Sequence, residues 1–138
     1  MYQIESKTDE IEMIQILEDK IYEHNSEAIQ HYDGHLFSKV VKDENGEVVA
    51  GVGGWTWAGA CEITQLWVNE TLRRKGIGKM LLDAAAQEAK RNGCMTILIK
   101  TYSFQAPAFY MKNGFNIKHT LDNFPQGYVY YTLTKKLS

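Results

Sequence analysis

The sequence predicts a mixed α/β (α+β) fold in one domain, and three observations carry that prediction. A chain of 138 residues with 44% hydrophobic residues is long enough for one core and short for two ordinary domains. Residues 62–100 have the pattern strand, loop, helix and strand, which gives a parallel pair with a right-handed crossover. Paired strands before and after this unit would complete a mixed central sheet with helices on both faces. We therefore expect residues 1–138 to form a single domain.

The N-terminal part of the chain predicts a helix that follows a short alternating segment. Ile4 lies in a short alternating segment, and Asp9 with Glu12 has the spacing of a helix N-cap and its reciprocal partner. The apolar residues at helical spacing after this cap are Ile11, Ile14, Leu17 and Ile21. Residues 23–33 are polar, so we expect a loop or a short second helix there, free to shape a binding mouth.

The next segment predicts an antiparallel hairpin and a further strand. Residues 35–42 and 47–56 are rich in β-formers, and the Asn45-Gly46 pair between them supplies the positive φ angles of a tight turn. Residues 58–60 form a second turn into an apolar strand over residues 61–69. Each of these strands can therefore pair with its neighbour in the chain.

The second half of the chain alternates helices and strands. The basic loop of residues 73–78 leads into a helix that Asn92-Gly93 ends. Residues 95–100 predict a short strand, residues 106–113 a short helix, and the last strands lie around residues 115–118 and 128–136.

Composition and charge exclude several classes of protein. With 15 Lys+Arg against 17 Asp+Glu, the net charge of -2 provides no global positive field for nucleic acid or an anionic membrane. No stretch has the pattern of a secretion signal or a membrane span. Cys61 and Cys94 lack the spacing of a zinc site or a disulfide framework, so we expect a cytoplasmic protein without a metal.

The loop of Arg73, Arg74, Lys75, Gly76, Ile77 and Gly78 has the features of a phosphate site. A helix N-terminus exposes unpaired N–H groups and partial positive charge, and glycines let the backbone approach a pyrophosphate closely. The side chains of Arg73, Arg74, Lys75 and Lys79 add positive charge at the same place.

Two other phosphate-binding motifs do not fit this loop, and one structural alternative stays open. A Walker loop needs Ser or Thr after Gly-Lys, whereas Met80 follows Lys79, and a Rossmann fingerprint needs a third glycine where Leu81 stands. A solvated basic turn that only caps a helix is the structural alternative.

Two motifs in order resemble the GNAT superfamily of N-acetyltransferases. Residues 73–78 match its acetyl-CoA pyrophosphate loop, [Gln/Arg]-x-x-Gly-x-[Gly/Ala], and residues 106–115, APAFYMKNGF, match its later Ala-x-x-[aliphatic/aromatic]-Tyr-x-x-x-Gly-Phe segment. The resemblance covers almost the whole chain and implies the GNAT fold, in which the strands ending at Val68 and beginning at Met95 splay apart.

The resemblance also implies how acetyl-CoA is held. Backbone groups of Leu66 and Val68 would pair with its pantetheine arm, and N–H groups from Arg74 to Lys79 would hold its pyrophosphate. The further cofactor contacts implied are Trp67, Ser103, Ala106 and Phe109. Ser103 stands where the family often has Asn, and its hydroxyl still donates and accepts with a shorter reach.

The resemblance implies two catalytic side chains. Tyr110 corresponds to the family tyrosine that acts as general acid near the CoA sulfur, and its structural alternative is a buried aromatic beside Phe109. Glu62 has the spacing from Arg73 of the general base in the histone-acetylating branch, and its structural alternative is an exposed charge at a strand entrance. Neither cysteine has a context for covalent catalysis, so direct transfer in a ternary complex is expected.

The acceptor is less defined. The resemblance implies an acceptor mouth at the first helices and a strand edge, and the candidates there are His31, Tyr32, Trp55 and Trp57. Three functions stay open: acetylation of a small-molecule amine, acetylation of a protein amine, and a CoA-binding sensor without catalysis. A homodimer is compatible with each of them.

Overall fold

The computed structural model describes residues 1–6 and 9–138, and the protein has a mixed α/β fold. The elements are α1 (Glu10–Ile29), β1 (His35–Lys42), β2 (Val48–Trp57), β3 (Ala60–Val68), α2 (Ile77–Arg91), β4 (Thr96–Tyr102), α3 (Pro107–Lys112), β5 (Asn116–Asp122) and β6 (Val129–Lys136). None of these helices is both long enough and apolar enough to span a bilayer.

The described chain divides into two compact units, residues 1–32 and 33–138. The first unit contains α1, and the predicted cap is confirmed, since the Glu12 N–H donates to Asp9 Oδ1 at 3.1 Å. The alternating segment around Ile4 is not part of a strand in the structure. The expected loop or short second helix from Glu23 is wrong: α1 continues to Ile29, because neither glycine nor proline interrupts the chain before Gly34.

The second unit contains one six-stranded mixed sheet with the order β1-β2-β3-β4-β6-β5. The strand pairs are antiparallel except β3 and β4, which are parallel, as the strand-loop-helix-strand pattern predicted. The predicted hairpin is confirmed, but only one of the two residues expected to have positive φ does so, because Asn45 does not. Gly46 has φ +80°, and Asp43 Oδ1 accepts the N–H groups of Asn45 at 2.8 Å and Glu47 at 3.0 Å.

The core of the second unit lies between the sheet and α2. Along β4, Ile97, Ile99 and Thr101 are buried, so Leu98, Lys100 and Tyr102 belong to the opposite face of the sheet. The buried residues of α2 are Leu81, Leu82, Ala85 and Ala89, and this helix packs against β1, β2 and β3. Helix α3 packs against β5. The predicted central sheet with packed helices is therefore present.

Strands β3 and β4 separate part of the way along their length. They pair only from Ala60 with Thr96 to Ile63 with Ile99, although β3 runs on to Val68 and β4 to Tyr102. The predicted splayed parallel pair is thus present, and it leaves one edge of β3 without a strand partner among the described residues.

A bulge in β3 precedes this separation. The register of β2 with β3 shifts between Gly53 and Gly54, where Thr64 is the extra residue of β3. A Cβ atom at Gly54 would overlap the carbonyl oxygen of Glu62, so only glycine fits at this position of β2.

Candidate active site

The loop between β3 and α2 brings its backbone amides to the start of a helix. Arg74 and Gly76 both have positive φ, at 65° and 78°, and α2 begins directly afterwards at Ile77. Left-handed residues in such loops turn successive N–H groups into an anion-binding concavity. The sequence analysis predicted a close approach of the backbone at Gly76. It did not predict the left-handed conformation of Arg74.

The N-terminus of α2 is open for an anion. Gly76 is the N-cap residue, no side chain of the described residues caps the helix there, and its first turn contains no acidic residue. A Cβ atom built on Gly76 would meet no atom within 4 Å. The N–H groups and the partial positive charge of this helix end are therefore not used by a capping side chain, and there is free space beside Gly76.

The basic side chains of the loop divide into two pairs. Arg73 Nε donates to the carbonyl oxygen of Val68 at 3.1 Å, and Lys79 Nζ lies 2.8 Å from Asp83 Oδ2. The first contact occupies only one N–H group of the Arg73 guanidinium, and the second joins Lys79 to a residue of its own helix. Arg74 and Lys75 are exposed and form no ion pair with any residue that the structure describes. Their charges, and the remaining N–H groups of Arg73, are available to an anion.

Three of the predicted cofactor residues lie together beside this loop. A Cβ atom on Gly78 would lie 3.3 Å from Phe109 Cζ and 3.9 Å from Val68 Cγ2. The absence of a side chain at Gly78 therefore lets α3 approach the start of α2 and the end of β3. Leu66 and Val68 are half-buried against the core, whereas Trp67 is 49% exposed.

Tyr110 on α3 has a half-buried ring and a hydroxyl that no described residue engages. Its ring centroid lies 5.3 Å from that of Phe109 and 5.9 Å from that of Phe115. Burial raises the pKa of the Tyr110 hydroxyl. Because its pKa is raised, this hydroxyl stays protonated at neutral pH. No described residue forms a hydrogen bond with it, so it is able to donate to a ligand.

Ser103 and Ala106 lie between β4 and α3. The Ser103 N–H donates to the Val129 carbonyl at 2.8 Å, and Ser103 Oγ accepts the Val129 N–H at 3.0 Å. The oxygen of Ser103 thus already joins this loop to β6, while its hydroxyl hydrogen can still be donated. Ala106 immediately precedes α3, which begins at Pro107.

Glu62 lies on β3 just before the strands separate, and its side chain is 19% exposed. In the register of the sheet it stands between Trp55 of β2 and Leu98 of β4. Its surroundings are not purely apolar, because Lys100 Nζ lies 3.6 Å from Glu62 Oε2. Sequence reasoning missed Lys100, since only the strand register brings it beside Glu62.

The predicted acceptor residues fall into both units. Trp55 and Trp57 lie on β2 and are half-buried, and their strand neighbours Gly54 and Thr56 are buried. They therefore belong to the sheet face opposite the core, which is also the face of Glu62. His31 and Tyr32 belong to the first unit, where the His31 N–H donates to the Ser26 carbonyl at 3.1 Å.

Clusters of potential metal ligands were sought over the residues that the structure describes. Over residues 1–6 and 9–138, no three His, Cys, Asp or Glu side chains lie close enough together to hold a metal ion.

Comparisons with known proteins agree with this architecture. Residues 1–115 match the family model described as the acetyltransferase (GNAT) family. The blasticidin-S acetyltransferase of Streptomyces morookaense is 32% identical over 98 residues, which are 68% of this chain and 70% of that protein.

Solved structures show the same fold. The crystal structure of an acetyltransferase from Bacillus cereus has a TM-score of 0.80 and 32% identity, with 99% of this chain and 98% of that chain covered. A protein assigned as a streptothricin acetyltransferase from Bacillus anthracis, crystallised with acetyl coenzyme A, has a TM-score of 0.64 and 21% identity over 75% of this chain and 63% of that chain. The family match over most of the sequence, the splayed parallel strands and the open helix start together establish that this chain belongs to the GNAT family of acetyltransferases.

Proposed function

We propose that the chain acts as one domain that transfers the acetyl group of acetyl-CoA to a primary amine of a small molecule. The observation that carries the proposal is the start of α2, which no side chain of the described residues caps. Two left-handed residues, Arg74 and Gly76, precede it. The strand before this loop, β3, borders the gap between β3 and β4. Such a site suits an elongated ligand with a diphosphate at one end and an extended arm at the other.

The residues present fit acetyl-CoA. The N–H groups of residues 74–79 would hold the diphosphate, with the Arg74 and Lys75 side chains adding positive charge. The free edge of β3 at Leu66 and Val68 would hold the arm as an added strand. When bound, acetyl-CoA supplies an acetyl thioester, the activated group that an amine attacks.

The chain supplies a proton donor and a proton acceptor for this reaction. Tyr110 Oη retains its proton at neutral pH, because burial raises its pKa, and it would donate that proton to the departing sulfur. The Glu62 carboxylate lies beside Lys100. Directly or through water, it would take a proton from the acceptor ammonium before attack, or from the amine nitrogen as it adds to the thioester carbonyl. Transfer then proceeds by direct attack in a ternary complex, without a covalent enzyme intermediate.

A small-molecule acceptor is favoured by the relatives. The protein from Streptomyces morookaense is named for the small molecule blasticidin S, and the similarity extends over 68% of this chain. Acetylation of protein amines and CoA binding without catalysis remain as distinct outcomes of the test below.

Release of free thiol from acetyl-CoA in the presence of single amines tests the proposal. We expect turnover with at least one class of small primary amine and none with acetyl-CoA alone. Turnover that requires a protein or peptide amine would replace the small-molecule acceptor by a protein. Tight binding of CoA in calorimetry without turnover on any amine would make the protein a sensor.

A further inference from the structure

Five aromatic side chains form one connected group at the end of β4 and the start of β6, and the function proposed above does not use them. This aromatic cluster consists of Tyr102, Phe104, Phe124, Tyr128 and Tyr130. Its ring centroids lie 5.2 Å apart for Tyr102 and Phe104, 4.5 Å for Tyr102 and Tyr130, 5.1 Å for Phe104 and Tyr128, and 5.3 Å for Phe124 and Tyr130. These separations are those of favourable aromatic pairs.

Backbone hydrogen bonds hold the loops that present the cluster. In the connection from β5 to β6, the Phe124 N–H donates to the Tyr128 carbonyl at 3.2 Å and the Tyr128 N–H to the Pro125 carbonyl at 3.0 Å. The two hydrogen bonds between Ser103 and Val129 join the loop of Phe104 to the start of β6. The rings are thus presented by an ordered surface, which lowers the entropic cost of binding to them.

The cluster is not part of the hydrophobic core. Phe104 is 57% exposed, Tyr128 49% and Phe124 48%, and none of the five belongs to the buried core of the second unit. Contiguous exposed aromatic surface of this kind marks binding sites more often than scattered apolar residues do. Strand pairing accounts for Tyr102 and Tyr130, which are directly opposite each other in the sheet. It does not account for the exposed rings of Phe104, Phe124 and Tyr128, whereas ligand binding does.

The cluster begins close to the expected reaction centre. Tyr102 is two residues beyond Lys100 on β4, and both belong to the sheet face opposite the core. Two residues of a strand span about 7 Å. Since Lys100 Nζ lies 3.6 Å from Glu62 Oε2, the cluster starts beside the side chain that would take the proton of the amine.

We propose that the aromatic cluster binds the acceptor, and that it selects primary amines carrying a flat aromatic or heteroaromatic ring. This inference rests on the function proposed above. Tyr102 and Phe104 are stacked with an interplanar angle of 5°, and more than half of Phe104 stays accessible. A planar ring can extend such a stack, whereas a puckered aliphatic ring of equal size cannot contact it over its whole face.

Two amines of the same length, phenethylamine and its cyclohexyl analogue, separate ring stacking from general hydrophobicity. In the parent enzyme, we expect phenethylamine to have a KM about ten-fold lower than the cyclohexyl amine, as one stacking contact implies. Phe104→Leu and Tyr128→Leu should each raise the KM for the phenyl amine about five- to ten-fold and change that for the cyclohexyl amine less than about two-fold. Tyr2→Leu is the matched control, since Tyr2 is exposed and lies outside the cluster, and it should change neither value.

The outcomes distinguish this inference from the proposed function. The inference would be overturned if both amines had equal KM values in the parent, or if the two variants raised both KM values equally. Either result would leave the acetylation of amines unaffected. If neither amine is acetylated, saturation-transfer NMR with phenethylamine decides. Transfer to its ring protons that Phe104→Leu abolishes would support the binding site, and no transfer from the parent protein would refute it.

Discussion

Replacing Gly76 by glutamate tests the site at its most defined point. Gly76 has φ +78°, and a Cβ atom there meets nothing within 4 Å, so a side chain fits sterically but in a strained backbone conformation. Left-handed backbone costs a residue other than glycine about 1 to 2 kcal/mol. The variant should therefore fold with a modestly reduced free energy of unfolding.

The effect on ligand binding should be larger and comes from charge. A carboxylate placed about 5 Å from one phosphate charge repels it by about 0.8 kcal/mol at the dielectric constant of water and about 3 kcal/mol at an effective value of about 20. A diphosphate carries more than one charge, and the new side chain also occupies its space. We expect the Kd for CoA to rise by at least about ten-fold, which corresponds to about 1.4 kcal/mol.

Calorimetric titration with CoA measures this Kd, and Gly46→Glu supplies the control. Gly46 lies in the turn between β1 and β2 with φ +80° and likewise has no atom within 4 Å of a built Cβ. The control variant thus has the same strain and the same change in net charge at a distant loop. We expect it to lose similar stability and to bind CoA like the parent.

Two results would refute the reasoning. If Gly76→Glu binds CoA with the parent Kd and unfolds cooperatively, the diphosphate does not lie at the start of α2. If Gly46→Glu weakens binding as much as Gly76→Glu does, the loss comes from strain or net charge and not from the site.

Two further predictions concern Tyr110 and Cys61. Tyr110→Phe should lower kcat about 100-fold, as loss of a general acid implies, while calorimetry gives a Kd for CoA within about two-fold of the parent; an unchanged kcat would remove the hydroxyl from the mechanism. Burial, with smaller contributions from Cys94, Glu62 and Glu88, raises the pKa of the Cys61 thiol from 9.0 to about 12. Because the folded state then holds this proton more tightly, the free energy of unfolding should fall as pH rises from about 9 to about 12. Urea unfolding at about pH 8 and about pH 10 measures this decrease in the free energy of unfolding. The decrease should be about 1.4 kcal/mol smaller in Cys61→Ala than in the parent. Equal decreases in both proteins would contradict a raised pKa of Cys61.

The local features of this protein could be predicted from its residues alone. The turn at Asn45-Gly46, the cap at Asp9 and the glycines at the start of α2 depend on backbone preferences that act within a few residues. The family motifs over residues 73–78 and 106–115 belong to this class, because a helix N-terminus binds phosphate through its own backbone. The end of α1 was misplaced because polar composition at Glu23 suggested a loop while nothing in the backbone stopped the helix.

The arrangement of the site depends on contacts between residues distant in sequence. The approach of Lys100 to Glu62 follows from the register of β3 with β4, and that of Phe109 to Gly78 from the packing of α3 on α2. The point where β3 and β4 separate depends on a bulge and on the twist of the whole sheet. Residue patterns show which side of a strand is apolar, but strand pairing decides which polar groups meet on the other side.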